Sequence, residues 1–334
     1  MFKNKSILIT GATGSFGKAF ISKILDKRFS FRRIIIFSRD ELKQHEMQID
    51  DRFNLEKNTN LRYFIGDVRD KNRLIHAFQD VDYVVHAAAL KQVPTAEYNP
   101  FETIKTNVLG AQNIIEAAIA TKVNKVIALS TDKASSPINL YGATKLCSDK
   151  LFISANSYSG KKNITFSVVR YGNVMGSRGS VIPLFLEQSK TGTLQITDKS
   201  MTRFNILLKD SVNLVEWALK NSFGAEVIVP KIPSYRIMDV AKSISNDCKI
   251  KVIGKRVGEK THEEMISYEE SYNAISIKDY FIILQNNNLK QLNYYKKKFK
   301  AKVINNQFNY NSKDNENFLN ISQLKKLINI FKNQ

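Results

Sequence analysis

A short stretch near the middle of the chain carries most of its chemistry. In Tyr141-Gly142-Ala143-Thr144-Lys145 a phenol and an amine stand four residues apart. On a helix that spacing puts both on one face. An ammonium beside a phenol favours the phenolate, so Tyr141 is equipped to take a proton from an alcohol. Directly upstream runs Ser130-Thr131-Asp132-Lys133, which sets hydroxyl, carboxyl and amine in a row. Oxidising an alcohol requires only the Tyr–Lys pair, so the surplus acid–base groups imply a further step after the oxidation. The plainer readings are a surface ion pair for Asp132 and Lys133 and an ordinary helix pair for Tyr141 and Lys145.

These side chains need a scaffold, and the first half of the chain supplies one. Short β-branched, nearly all-apolar runs at 6–10, 33–37, 61–65, 83–86, 125–130 and 165–171 predict strands. Amphipathic segments at 16–27, 40–51, 71–79, 100–121 and 139–156 predict the helices between them. Strands without polar alternation, joined by helices, predict an α/β fold: a Rossmann-like, doubly wound parallel sheet. The rhythm breaks after residue 175, and the following segments predict a smaller mixed region that binds substrate. The reading is therefore 1–175 as a dinucleotide-binding domain with the catalytic residues, 176–285 as mainly substrate-binding, and 286–334 as a basic extension. Some of the middle segments are open to rejoining the sheet. The Asn/Lys-rich extension predicts poor order, closed by an amphipathic helix near 321–331.

Between the first strand and the first helix lies Gly11-Ala12-Thr13-Gly14-Ser15-Phe16-Gly17. Glycines there allow a tight turn, close approach to a pyrophosphate and a helix N-terminus facing the phosphates. After the second strand come Ser38, Arg39 and, one turn on, Lys43, with no carboxylate ahead of them. A hydroxyl and two cations suit a 2′-phosphate, so NADP is favoured over NAD; Asp40 fits better as the cap of the next helix. Asp67 and Val68 follow the third strand, where a carboxyl reaches an adenine amine. His86-Ala87-Ala88-Ala89 follows the fourth, where small residues let the backbone pass close to the cofactor. Asn107, inside a helix, suggests a kink or a held water.

The chain has 334 residues and 43% hydrophobic content, enough for a sizeable core. Its two cysteines, Cys147 and Cys248, and four scattered histidines argue against a disulfide framework or a metal centre. No run is long and apolar enough for a membrane span, and the chain enters its first strand with no room for a leader, so a cytoplasmic protein is expected. The net charge of +20 reads as solvated surface lysine, with some attraction for an anionic substrate. The cluster 294–302 sets aromatic beside basic residues but carries no nucleic-acid motif.

The glycine loop, HAAA and YxxxK in this order resemble the extended short-chain dehydrogenase/reductase superfamily. The finer match, through SRDELKQ, GDVRD, HAAALKQVPTAEYNP, STDKASSPINLYGATK, VVRYGNVMGSRGSVIP, MTRF and VGEKTHE, is similar to the inverting UDP-N-acetylglucosamine 4,6-dehydratases of pseudaminic acid biosynthesis. The resemblance spans roughly 5–284. It implies tightly held NADP, UDP-N-acetylglucosamine as substrate, and UDP-2-acetamido-2,6-dideoxy-β-L-arabino-hex-4-ulose as product. It further implies Tyr141 with Lys145 and Thr131 at the 4-hydroxyl, Asp132 as acid and Lys133 as a neutral base. Lys91 would touch cofactor or substrate. Asn173, Arg178, Gly179, Ser180, Val181, Met201, Arg203, Arg256 and Glu259 would hold the nucleotide-sugar. Glucose-type dehydratases carry Asp-Glu where this chain has Asp132-Lys133, simple C4-epimerases lack the acid–base pair, and retaining relatives tend to carry Met in place of Tyr141. The resemblance also implies a homo-oligomer, a hexamer or a dimer. The contrasting readings are a C4-epimerase, a retaining dehydratase, or a non-catalytic dinucleotide-binding protein with a basic tail for nucleic acid or a partner.

Overall fold

The computed structural model describes residues 2–26, 29–160, 163–176, 180–285 and 288–332. The apolar runs form strands β1 (Ser6–Thr10), β2 (Arg33–Ser38), β3 (Leu61–Ile65), β4 (Tyr83–His86), β5 (Lys125–Thr131) and β6 (Thr165–Tyr171). They lie parallel in the order β3-β2-β1-β4-β5-β6. Helices cover both faces, which is why β1 is buried at every residue and shows no polar alternation. The order reverses between β1 and β4, and the crevice beyond their carboxyl ends is where such sheets bind ligands. The doubly wound α/β expectation is met.

Later segments extend this sheet. Val227–Pro230 adds in parallel to β6, and Tyr280–Ile283, Ala274–Ser276 and Lys302–Val303 continue it antiparallel to ten strands. A second, smaller core gathers Ile182, Phe185, Leu194, Tyr235 and Val240 with Leu324 and Ile328. The helix expected over 100–121 is broken: Pro100–Ile104 and Gly110–Ala120 flank a π-helical turn, Lys105–Leu109, that contains Asn107. No helix among the described residues is long and apolar enough to cross a membrane.

The last segment departs most from expectation. It is folded onto the body instead of poorly ordered. Helix Leu289–Phe299 turns Tyr295 fully inward, and Gln291 Nε2 donates to the buried Glu226 at 2.7 Å. Its lysines 296–298 stay exposed. Strand Tyr310–Asn311 pairs with Glu264–Ile266, and the closing amphipathic helix forms where expected, at Ile321–Lys332, burying Leu324 and Ile328. Abundant Lys and Asn hid a sparse apolar stripe at helical spacing. Tyr295→Ala should therefore cost the whole protein about 3–5 kcal/mol of stability, read as a lower urea midpoint; an unchanged midpoint would show that this helix adds nothing to the core.

Candidate active site

A cleft of about 1000 Å³ runs along the carboxyl ends of the strands. One end is the glycine loop, with Gly11, Thr13, Gly14, Ser15, Phe16 and Gly17 in its wall. Gly11 has φ +65°, and a Cβ there would sit 2.9 Å from the Ala88 nitrogen. A Cβ on Gly17 would lie 2.3 Å from the Ala12 carbonyl oxygen. The loop feeds helix Ser15–Ile24 (α1), whose N-cap Gly14 brings no side chain to its first amides. Those N–H groups open on the cleft, which fits a pyrophosphate. The residues present thus fit a dinucleotide.

Around the adenosine end, the Thr13 and Ser38 hydroxyls are 3.0 Å apart. Asp40 caps helix Glu41–Ile49 by accepting from the Lys43 amide at 3.0 Å, and its carboxylate also pairs with the Lys43 ammonium. Arg39 approaches Asp67 at 3.8 Å, while Arg69 holds Asp67 at 2.7 Å. Ser38, Arg39, Lys43, Asp67, Val68, Ala87 and Lys91 all line the cleft. Burial lowers the Lys91 pKa.

Two buried polar residues shape the middle of the cleft. His86 is held neutral, its pKa pushed down to about 3 by burial and then by Lys145. The Thr10 hydroxyl lies 2.8 Å from its Nδ1 and accepts from the Ala87 and Ala88 amides. Asn107 clasps Leu90 through both its amide and its carbonyl, at 2.9 Å each, and donates to the Thr144 hydroxyl at 3.1 Å. The π-helical turn therefore ties the HAAA loop to the catalytic helix, Leu140–Tyr158.

β5 ends at Thr131, and Asp132–Ala134 forms a single 3₁₀ turn. Gly142, at the head of the catalytic helix, lets that turn pack directly on it: a Cβ there would lie 2.2 Å from the Lys133 carbonyl oxygen. Thr131, Lys133, Tyr141 and Lys145 all reach the cleft. Asp132 does not share its wall, as facing side chains on one loop would have had it; it is fully buried beneath Lys133. The Thr131 hydroxyl donates to Asp132 Oδ1 at 3.0 Å. Among the described residues Asp132 Oδ2 has no hydrogen-bond partner.

The charges differ from expectation at two points. Lys133 Nζ meets Asp132 Oδ1 at 3.0 Å, Glu263 Oε1 at 3.1 Å and Asn173 Oδ1 at 3.4 Å. Burial works to lower its pKa, but the two carboxylates outweigh it, so Lys133 is a firmly held ammonium and not the neutral amine expected. The Tyr141 phenol is not lowered either: burial pushes it up to about 12, against the Lys133 ammonium and the Thr131 hydroxyl. Lys145 is itself lowered by burial, opposed by Asp149. Burial also raises the Asp132 pKa, with Lys133 pulling down and Glu263 pushing up, which makes it a more basic carboxylate than usual and a ready acceptor beside Lys133.

Of the residues expected at the nucleotide-sugar, Asn173, Ser180, Val181, Met201, Arg203, Arg256 and Glu259 all line the cleft. Arg178 and Gly179 lie outside the described residues. Arg203 donates to the Thr202 and Thr261 carbonyls at 2.7 and 2.9 Å, and Glu259 lies 3.7 Å away. Met201 is buried, its sulfur accepting from Arg203 and Thr197. The sequence reading passed over Glu263, although VGEKTHE ends on it, because only the fold brings it to Lys133. It also passed over Asp149, which accepts from Ser130 at 2.7 Å and pairs with the buried Arg170 behind the catalytic helix.

Residues 7–285 match the family described as polysaccharide biosynthesis protein. The chain is 53% identical over 285 residues to a UDP-N-acetylglucosamine 4,6-dehydratase (inverting) from Campylobacter jejuni, covering 85% of this chain and 84% of that one. It is 46% identical over 303 residues to a UDP-glucose 4-epimerase from Rickettsia conorii, covering 89% and 87%. The X-ray structure of Pen from Bacillus thuringiensis superposes with a TM-score of 0.89 at 38% identity, over 99% of each chain.

The packing around Gly142 is testable. A methyl group there must push the Asp132–Lys133 turn outward, and misplacement by about 1 Å costs on the order of a hundredfold in rate. Gly142→Ala should lose about that much turnover of a nucleotide-sugar while still binding the dinucleotide, checked by steady-state kinetics and cofactor fluorescence.

Proposed function

The chain belongs to the polysaccharide biosynthesis protein family of extended short-chain dehydrogenases/reductases, and on that premise we propose that it is an NADP-dependent, inverting UDP-N-acetylglucosamine 4,6-dehydratase that begins pseudaminic acid biosynthesis. The observation that carries this reading is one cleft shared by the glycine loop, the Tyr141–Lys145 face and the Lys133 ammonium with Asp132 beneath it. The likeness to the Campylobacter enzyme supports it.

The chemistry that NADP would supply when bound is to accept the hydride from C4 of the sugar and, after water is lost, to return it at C6. The glycine loop and the N-terminus of α1 would hold its pyrophosphate, while Ser38, Arg39 and Lys43 suit a 2′-phosphate. Tyr141 takes the proton of the sugar 4-hydroxyl; the positive charge of Lys133 and Lys145 nearby favours its phenolate. The ketone formed at C4 acidifies the C5 proton. Moving one proton from Lys133 Nζ to Asp132 Oδ1, across their 3.0 Å contact, creates the base and the acid together without exchange with solvent. Lys133 then takes the C5 proton, and Asp132 gives its proton to the departing 6-hydroxyl through the Thr131 hydroxyl that it already touches. Water leaves. Inversion follows when C5 is reprotonated from the opposite face. Lys91 and Arg256, both in the cleft wall, suit the diphosphate, and Glu259 the uridine ribose.

A second reading, C4-epimerisation, is supported by the likeness to the Rickettsia protein. It gives Asp132 and Lys133 no work, because no water is eliminated. Incubation with UDP-N-acetylglucosamine in deuterated water separates the two by NMR. A dehydratase yields a 6-deoxy-4-keto sugar of inverted C5 carrying deuterium there, whereas UDP-N-acetylgalactosamine as sole product sinks the proposal. Lys133→Ala should abolish C5 exchange and turnover with NADP still bound; near-normal turnover would remove Lys133 as the base. For the cofactor, Arg39→Ala should weaken NADPH by about tenfold, roughly one lost charge-assisted contact, and leave NADH affinity unchanged in fluorescence titrations.

A further inference from the structure

Glu263 has no place in the reaction as described so far, yet its setting is unusual. It is 2% exposed and still forms part of the cleft wall. Its Oε1 lies 3.1 Å from Lys133 Nζ and 3.7 Å from Arg203 Nε. Its Oε2 is buried and, among the described residues, has no hydrogen-bond partner. Ion pairs that serve only the fold gain from satisfying every oxygen, and a bare carboxylate oxygen is costly to bury. The backbone is fixed with care: the Glu263 amide donates to Ser312 Oγ at 2.9 Å, and the Ser312 amide returns a bond to the Glu263 carbonyl at 2.7 Å. Ser312 Oγ also meets Thr202 Oγ1 at 2.7 Å.

The consequence falls on Lys133. An ammonium has three N–H donors, and here three oxygens surround it, from Asp132, Glu263 and Asn173. We propose that Glu263 is a positioning residue of the reaction, seating Lys133 Nζ and setting how strongly that nitrogen holds a proton. This rests on the reading of Lys133 as the base at C5. Glu263 itself neither gains nor loses a proton. When Lys133 takes the C5 proton, positive charge returns to Nζ between two carboxylates, so Glu263 strengthens the base by stabilising the charge that develops. The groups facing Lys133 are Asp132 on its own turn, Glu263, Arg203 on strand Thr202–Ile206, Tyr235 on strand Ser234–Arg236, Lys260 on the loop before Glu263, and Tyr141 on the catalytic helix. Asp132 and Glu263 favour the ammonium and Arg203 opposes it.

With Glu263 present, loss of the Lys133 proton to solvent belongs at high pH. Neutralising Glu263 lowers that pKa, so the alkaline limb of the rate moves to lower pH. The experiment measures deuterium entry at C5 of UDP-N-acetylglucosamine, and turnover, against pH in the wild type, Glu263→Gln and Glu263→Asp. For Glu263→Gln we expect the alkaline limb to fall by about one pH unit or more, and the limiting rate by about tenfold. Glu263→Asp keeps the charge and should place the limb between the two. NADPH binding serves as the folding control. If Glu263→Gln no longer binds NADPH, the aspartate variant decides, with an unshifted limb counting against the proposal. A limb that does not move in Glu263→Gln, whatever the rate, overturns the role given to Glu263. Failure of the wild type to place deuterium at C5 overturns instead the reading of the reaction on which it rests.

Discussion

The Lys133 ammonium, caught between two buried carboxylates, is the contact on which the rest of the active centre depends. One carboxylate comes from the next residue back, on a turn that begins where β5 ends. The other comes from far along the chain. Neither would stay ionised in that place alone, since a buried charge without a partner is far costlier than a paired one. The pairing needs room at two glycines. Gly142 admits the Lys133 carbonyl, and a Cβ on Gly172 would come within 3.3 Å of Asp132 Oδ2. Small residues at these positions let the charged turn lie flat between the catalytic helix and the strands beyond it.

The same contact explains why the C-terminal segment matters. Strand Tyr310–Asn311 pairs with Glu264–Ile266, and Ser312 grips the Glu263 backbone from both sides. Residues that look like a polar appendage in sequence therefore hold one wall of the charge cluster. Their lysines reach solvent while Tyr295 and Gln291 are buried, so basic composition and structural duty coexist on the same helix.

What could be read from the sequence divides along the range of the interactions. β1, β4 and β6 fall where their apolar runs begin and end, because a strand covered on both faces shows its whole length as hydrophobicity. The glycine loop was equally plain, since its turn, its close approach and its helix start are all local. The π-helical turn at 105–109 was not, for nothing in its side-chain pattern distinguishes it from regular helix except the buried Asn107. Glu263 was hidden for a different reason. Its motif was visible, but its partner lies on another element, and one sequence offers no signal for a contact of that span. Helix spacing gives Lys145 the leading part in tuning Tyr141, whereas burial and the Lys133 ammonium across the fold weigh most on that phenol, and for Lys133 the carboxylate of Glu263, which no local pattern reveals, adds to that of Asp132.

Burial also constrains the order of events in the proposed reaction. A phenol whose pKa burial pushes up to about 12 stays protonated near neutral pH unless positive charge beside it favours the phenolate. Lys133 is the strongest of the groups that pull it down, and it does so only while charged. The oxidation at C4 therefore profits from Lys133 as an ammonium. The elimination that follows needs the same nitrogen neutral. Both demands are met only if the proton leaves Lys133 after Tyr141 has done its work, and Asp132, whose burial favours its protonated form, is the acceptor in contact. A lysine standing between two carboxylates can serve in turn as counter-charge and as base. A glutamate at this position would repel the phenolate at the first of these stages instead of favouring it.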